Sequence, residues 1–126
     1  MYAMSAMKQY QRVSVQSEVF EASPHRLIQM LMEGCLERIA QARGALGRNL
    51  LAEKGELIGK AISIIGGLRE PLDHQAGGEL SHNLDSLYDY MISRLLEANR
   101  ANDVALLDEV SSLLREVKSG WDGIAA

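Results

Sequence analysis

The chain has 126 residues, 47% of them hydrophobic and 24% charged, with a formal net charge of −4. That balance predicts one soluble globular domain with its own core; it argues against a disordered chain, and its acidic sign against a nucleic-acid binder or a basic membrane-surface helix. The single cysteine, Cys35, permits no internal disulfide, no apolar run is long enough to span a membrane, and the first ten residues lack a basic segment followed by an apolar one, so a cytoplasmic protein is expected.

Residues 1–22 show no helical stripe and read as an arm. Val13, Val15 and Val19 alternate with polar residues, but no second strand is available to pair with them. Met7, Tyr10, Val13 and Phe20 are the arm's apolar anchors. Ser23-Pro24 then starts a helix: serine caps free amides, and proline suits the first helical position, where no amide bond is needed. The capping box is incomplete, because Arg26 stands where Glu or Gln would close it. This first helix runs to about Gly47, with a stripe of Leu27, Leu31, Cys35, Ile39, Ala42 and Leu46 flanked by Ile28, Met32 and Leu36. Cys35 on that stripe reads as a buried structural thiol.

Gly44, Gly47 and Asn49 predict a tight turn, and a second helix spans about Leu50 to Glu70. Its centre is Leu57, Ala61, Ile65 and Leu68, with Ile58, Ile62 and Ile64 around it. Gly55, Gly59, Gly66 and Gly67 each weaken such a helix by about 0.5–1 kcal/mol against alanine. They mark either close approach of another helix or tolerated flexibility. Pro71 stops this helix, and Leu72 to Gly78 are expected to form a loop.

Gly77-Gly78 is the strongest break in the chain, and the third helix follows it. Leu80, Leu84, Leu87, Met91 and Leu95 recur at spacings of three and four, with Tyr88, Ile92 and Leu96 widening the face and Tyr90 pointing away. So broad an apolar surface demands cover on several sides. Asn99 to Asp103 closes this helix and caps the fourth, Val104 to Trp121, with its stripe of Leu107, Val110, Leu114, Val117 and Trp121. Short connections between long helices imply antiparallel neighbours. The expected fold is all-α: a single domain over residues 1–126, built as an antiparallel up-down-up-down four-helix bundle (23–121) with an N-terminal arm (1–22).

No catalytic constellation emerges. Glu79 and His82 have the Glu-x-x-His spacing of a di-metal carboxylate bundle, but there is no second copy and this one lies in a first turn. His25 and His82 sit near helix starts and His74 in the expected loop, without the lysine and small residues a phosphorelay histidine would need after it. Ser23 lacks a hydrolase elbow, and two glycines with no following lysine make no phosphate cradle. No metal or cofactor is expected. What remains is apolar excess: on the first three helices the apolar arc covers about half the circumference, where a core-facing helix needs roughly a third. Either the interior is large, or a groove accepts a partner's amphipathic helix, with Met7 and Tyr10 of the arm able to shield it.

Several stretches together carry a resemblance. They are Tyr10-Gln11-Arg12, Ala22-Ser23-Pro24-His25-Arg26-Leu27-Ile28-Gln29-Met30-Leu31, and Ile58-Gly59-Lys60-Ala61. Gly77-Gly78-Glu79-Leu80-Ser81-His82-Asn83-Leu84, Leu87-Tyr88-Asp89-Tyr90-Met91, Asn99 to Asp103 and Trp121 complete the set. In this order, nearly end to end, the chain resembles the bacterial flagellin export chaperones, the FliS family. It departs at Met32, where the family commonly has tyrosine before an acidic residue and glycine.

The resemblance implies a non-enzymatic bundle that binds the disordered C-terminal segment of flagellin in the cytoplasm. It also implies that premature polymerisation is prevented and that flagellin is delivered to the export gate of the flagellar type III secretion apparatus. In the family the arm folds over part of the binding surface and moves aside for flagellin; Met7 and Tyr10 match the arm's hydrophobic residue and tyrosine. The expected partner-binding set is Met7, Tyr10 and Val13 on the arm and Leu51, Ile58 and Ile62 on the flank of the second helix. Two other classes stay open: a regulatory or adaptor bundle for another flagellar partner, and a di-metal bundle of ferritin-like build.

Overall fold

The computed structural model describes residues 22–72 and 74–124, with the backbone alone for 74–76. Four helices run in chain order: α1 (Pro24–Gly47), α2 (Leu51–Arg69), α3 (His74–Ala101) and α4 (Val104–Asp122). Each packs on its neighbours in sequence, and α4 returns to α1, so the four form a closed up-down-up-down ring.

Local chemistry sets the ends. The Ser23 hydroxyl accepts from the Arg26 amide at 3.1 Å, and Pro24 opens α1 as expected. Without an acidic residue at the third position, the Arg26 side chain reaches along the helix to Glu33 instead. The α1–α2 turn closes with Asn49 at φ 58°, and the α3–α4 turn with Asn102 at φ 51°, the left-handed region that asparagine tolerates better than most residues. The Asp103 carboxylate then accepts from the Ala105 amide at 3.0 Å and caps α4.

The core holds Met32, Cys35, Ile39 and Ala42 from α1, Leu57, Ile58, Ala61, Ile65 and Leu68 from α2, Tyr88, Met91, Leu95 and Ala98 from α3, and Leu107, Val110 and Leu114 from α4. Met32, read as a flank residue, is fully buried, so the departure from the family's tyrosine falls inside the bundle.

Two expectations are corrected. The stretch ahead of α3 is not all loop: the helix begins at His74 and is broken at Gly78, whose φ of 54° and ψ of −130° only glycine adopts readily. A Cβ at Gly77 would collide with the Ser81 hydroxyl. The inward face of α3 keeps Met91 and Leu95 of the expected stripe but is shifted from it toward Ser81, Tyr88 and Ala98. Leu80 is 68% exposed and Leu96 57%, while Ser81 and Tyr88 are buried. Leu80 stands two residues past the break, at the end of the bundle where α4 is finishing, so little remains there to cover it.

At that same end α1 and α4 are clasped. The His25 and Trp121 rings stack at 4.9 Å with 15° between planes. His25 Nε2 lies 2.9 Å from the Trp121 carbonyl, and with a carbonyl as partner it is the protonated, donating nitrogen. Trp121 Nε1 donates back to the His25 carbonyl at 3.0 Å. Gln29 to Asp122 and Arg43 to Asp108 extend the polar stitching along the α1–α4 seam.

Candidate functional site

The seams between helices differ in how they are closed. Along α1–α2, small side chains let the backbones approach: Cys35, Ala42, Ala45 and Ala61 have no exposed surface, and Cys35 Sγ reaches the Ala61 carbonyl at 3.7 Å. Burial pushes the Cys35 thiol up to about 12, so it is an inert core group rather than a nucleophile.

The α2–α3 seam is fastened at its ends. At one end the Lys54 ammonium donates to the Asn99 carbonyl at 2.9 Å and to Asn102 Oδ1 at 2.6 Å. At the other, Arg69 Nε and Nη2 donate to the two carboxylate oxygens of Asp85 at 2.8 and 3.2 Å, and Nη1 donates to Asp89 at 3.2 Å. The hydrogen bond to Asp85 is the main reason the Arg69 guanidinium is held even more firmly in its charged form. These contacts fix the antiparallel register, which brings Ile62 to the level of Ile92 and Ile58 to the level of Leu96.

Between the ends lies an apolar strip. Ile62 and Ile92 are half-buried, Leu96 is largely exposed, and Leu51 at the start of α2 is 43% exposed. The helix-two glycines do not mark close approach, and Gly59 opens instead onto a recess with Arg38 of α1 and Ile64. A Cβ at Gly59, Gly66 or Gly67 would meet nothing within 4 Å, and only Gly55 has a neighbour, the Asn99 side-chain amide at 3.6 Å. On α3, burial of Tyr88 raises its phenol above the ordinary range. The far side of α3 is closed by charge: Arg94 donates to Glu109 at 2.7 Å and holds that carboxyl below its usual range, with the Tyr90 hydroxyl donating to the same carboxylate.

Of the expected partner-binding residues, Met7, Tyr10 and Val13 lie outside the described residues. Ile62 lies in the α2–α3 strip and Leu51 just past its Lys54 end, whereas Ile58 is 1% exposed and belongs to the core beneath it. Sequence reading missed Leu96 as a surface group and Lys54 altogether. The signal for Leu96 was present in the buried period of Tyr88, Met91, Leu95 and Ala98, which leaves Leu96 on the edge of the face. A lysine in a first helical turn gives no such signal.

Glu79 and His82 are both exposed, and among the described residues no group of three or more His, Cys, Asp or Glu side chains is placed to hold a metal ion. Among the described residues no helix is long and apolar enough to cross a membrane. The half-buried Ile62 and Ile92 and the exposed Leu96 suit binding by apolar contact.

Comparison with known proteins points the same way. The family model described as flagellar protein FliS matches residues 6–126. The chain is 70% identical over 125 residues to the flagellar secretion chaperone FliSB of Pseudomonas aeruginosa, covering 99% of each. It is 46% identical to the flagellar secretion chaperone FliS of Salmonella typhimurium, covering 99% of this chain and 93% of the other. With the Vibrio cholerae FliS it shares 44% identity over 94% of this chain and 88% of that one. In fold, it is similar to the crystal structure of a bacterial flagellar chaperone, with a TM-score of 0.74 at 21% identity over 94% and 95% of the two chains.

Proposed function

The chain belongs to the flagellar protein FliS family, and from that premise we propose that it is a cytoplasmic flagellar secretion chaperone for flagellin. It binds the disordered C-terminal segment of flagellin, keeps flagellin from polymerising early, and hands the client to the export gate of the flagellar type III secretion apparatus. It works by binding alone, without catalysis or a cofactor, and residues 1–126 act as one unit of arm (1–22) and bundle (23–121). The observation that carries this reading is the end-to-end identity with a flagellar secretion chaperone.

The α2–α3 strip supplies a physical means. A segment that folds into an amphipathic helix on this strip would cover Leu51, Ile62 and Leu96, with Ile58 as the floor. Each leucine or isoleucine it fully buries contributes about 1.5–3 kcal/mol, against about 2–5 kcal/mol for ordering the segment, so several anchors are needed together. Met7, Tyr10 and Val13 of the arm compete for the same apolar surface and give way to the client. Titration calorimetry with intact flagellin and with flagellin lacking its C-terminal segment tests this. Binding of the intact protein only, with a negative heat-capacity change, is expected; equal binding of both, or of neither, overturns it.

A further inference from the structure

Lys54 is 5% exposed, and its ammonium meets only uncharged acceptors, the Asn99 carbonyl and the Asn102 amide oxygen. Burying an ammonium costs free energy that an apolar side chain on a stem of similar length would not. What the ammonium gives in return is direction: it meets the carbonyl end of α3, where helical acceptors lack partners and the dipole favours a cation. It therefore fixes where the end of α3 stands relative to α2. Arg69 does the same at the other end through Asp85 and Asp89. The two fastenings are about 22 Å apart along α2. Among the described residues no hydrogen bond or ion pair joins the two helices between them, and a Cβ at Gly66 within that interval would meet nothing within 4 Å.

We propose that Lys54 is a positioning residue that sets the width of the α2–α3 seam and thereby its affinity for the segment that docks there. The proposal rests on the reading of that seam as the client's seat. A seam held only by packing along its middle takes its spacing from its ends. Loosening one end lets the strip of Ile62, Ile92 and Leu96 splay, and a docked helix then loses the simultaneous contact it needs.

The test uses the full chain with Ser63→Cys and Ser93→Cys, exposed positions on either side of the seam, spin-labelled for distance measurement; Cys35 is buried and stays unlabelled. Lys54→Met keeps the stem and removes the charge. Asn102→Gly keeps the left-handed backbone and removes the acceptor, and Asn102→Asp keeps the acceptor. Val110→Ala, a core truncation on α4, is the control for lost stability. Lys54→Met and Asn102→Gly are expected to lengthen and broaden the distance and to weaken binding of a flagellin C-terminal peptide about tenfold. Asn102→Asp should stay near wild type in both, and Val110→Ala should lower the urea midpoint and move neither.

An unchanged distance distribution overturns the proposal, as does a widened seam that binds the peptide as tightly as wild type. Should Lys54→Met not fold, Asn102→Gly decides alone. If the wild-type chain does not bind the peptide while the variants still widen, the seat assigned to the client is wrong and the role of Lys54 in setting the width stands.

Discussion

Helix α2 meets α1 on one side and α3 on the other, and the two seams are built to opposite ends. Toward α1, alanine and cysteine shorten the buried side chains so far that a thiol touches the opposite backbone, while glycine at the outer edge leaves a recess beside Gly59, Arg38 and Ile64. Toward α3, polar fastenings close the two ends and Leu96 faces outward between them. Small residues thus do two jobs on one helix. They let a neighbour in where a neighbour is present, and where none is they leave a recess. Burial beside the residue, rather than its size, tells the two apart.

The contrast is easiest to break with thiol chemistry. Raised from 9.0 to about 12, the native Cys35 thiol at pH 8 is about a thousandfold less ionised than an exposed one, so a thiol reagent should find it nearly inert until the chain is unfolded. A cysteine placed by Gly66→Cys should react at the rate of an exposed thiol. Comparable rates at the two positions would erase the distinction between the seams. The same shift has a sign in stability: above pH 9 the unfolded thiol releases its proton while the native one keeps it. Cys35 therefore adds nothing to pH dependence below that point and lowers stability as pH rises from 9 toward 12.

Overfilling comes next in size. Ala61→Leu forces extra methylenes into the closed seam and should cost about 1–3 kcal/mol in urea unfolding; a neutral result would mean the seam has slack. Leu96→Ala should leave stability within about 0.5 kcal/mol, because the side chain is largely exposed, yet cost about tenfold in flagellin binding. An unchanged affinity would remove Leu96 from the client's seat. The smallest effect runs the other way: Gly59→Ala fills empty space on a helix and should stabilise the free protein by about 0.5–1 kcal/mol. A loss of stability would show that the recess is narrower than it looks.

Helix content and order were readable because each stripe repeats at helical spacing and the caps Ser23 and Asp103 are unambiguous chemistry. The orientation of α3 was readable only in part: Met91 and Leu95 are buried as expected, but reading by leucine overlooks Ser81 and Ala98, the small residues on its inner side. Leu80 deceived for a positional reason: it lies at an end, where periodicity continues but neighbours do not. Of the residues expected to bind, Leu51 is exposed and Ile62 half-buried, in keeping with the width of the apolar arc. Ile58 was placed on the same flank but is sealed below it. Lys54 was unreadable, because only tertiary placement turns a first-turn lysine into a buried one.

The stacked His25 and Trp121 rings have a practical consequence. The sequence contains one tryptophan, and it sits where the first and last helices meet, face to face with an imidazole and hydrogen-bonded across to the other helix. The protein thus carries its own emission gauge: parting of the start of α1 from the end of α4 should alter the colour and lifetime of that single indole, so their separation can be followed in real time without attaching a dye.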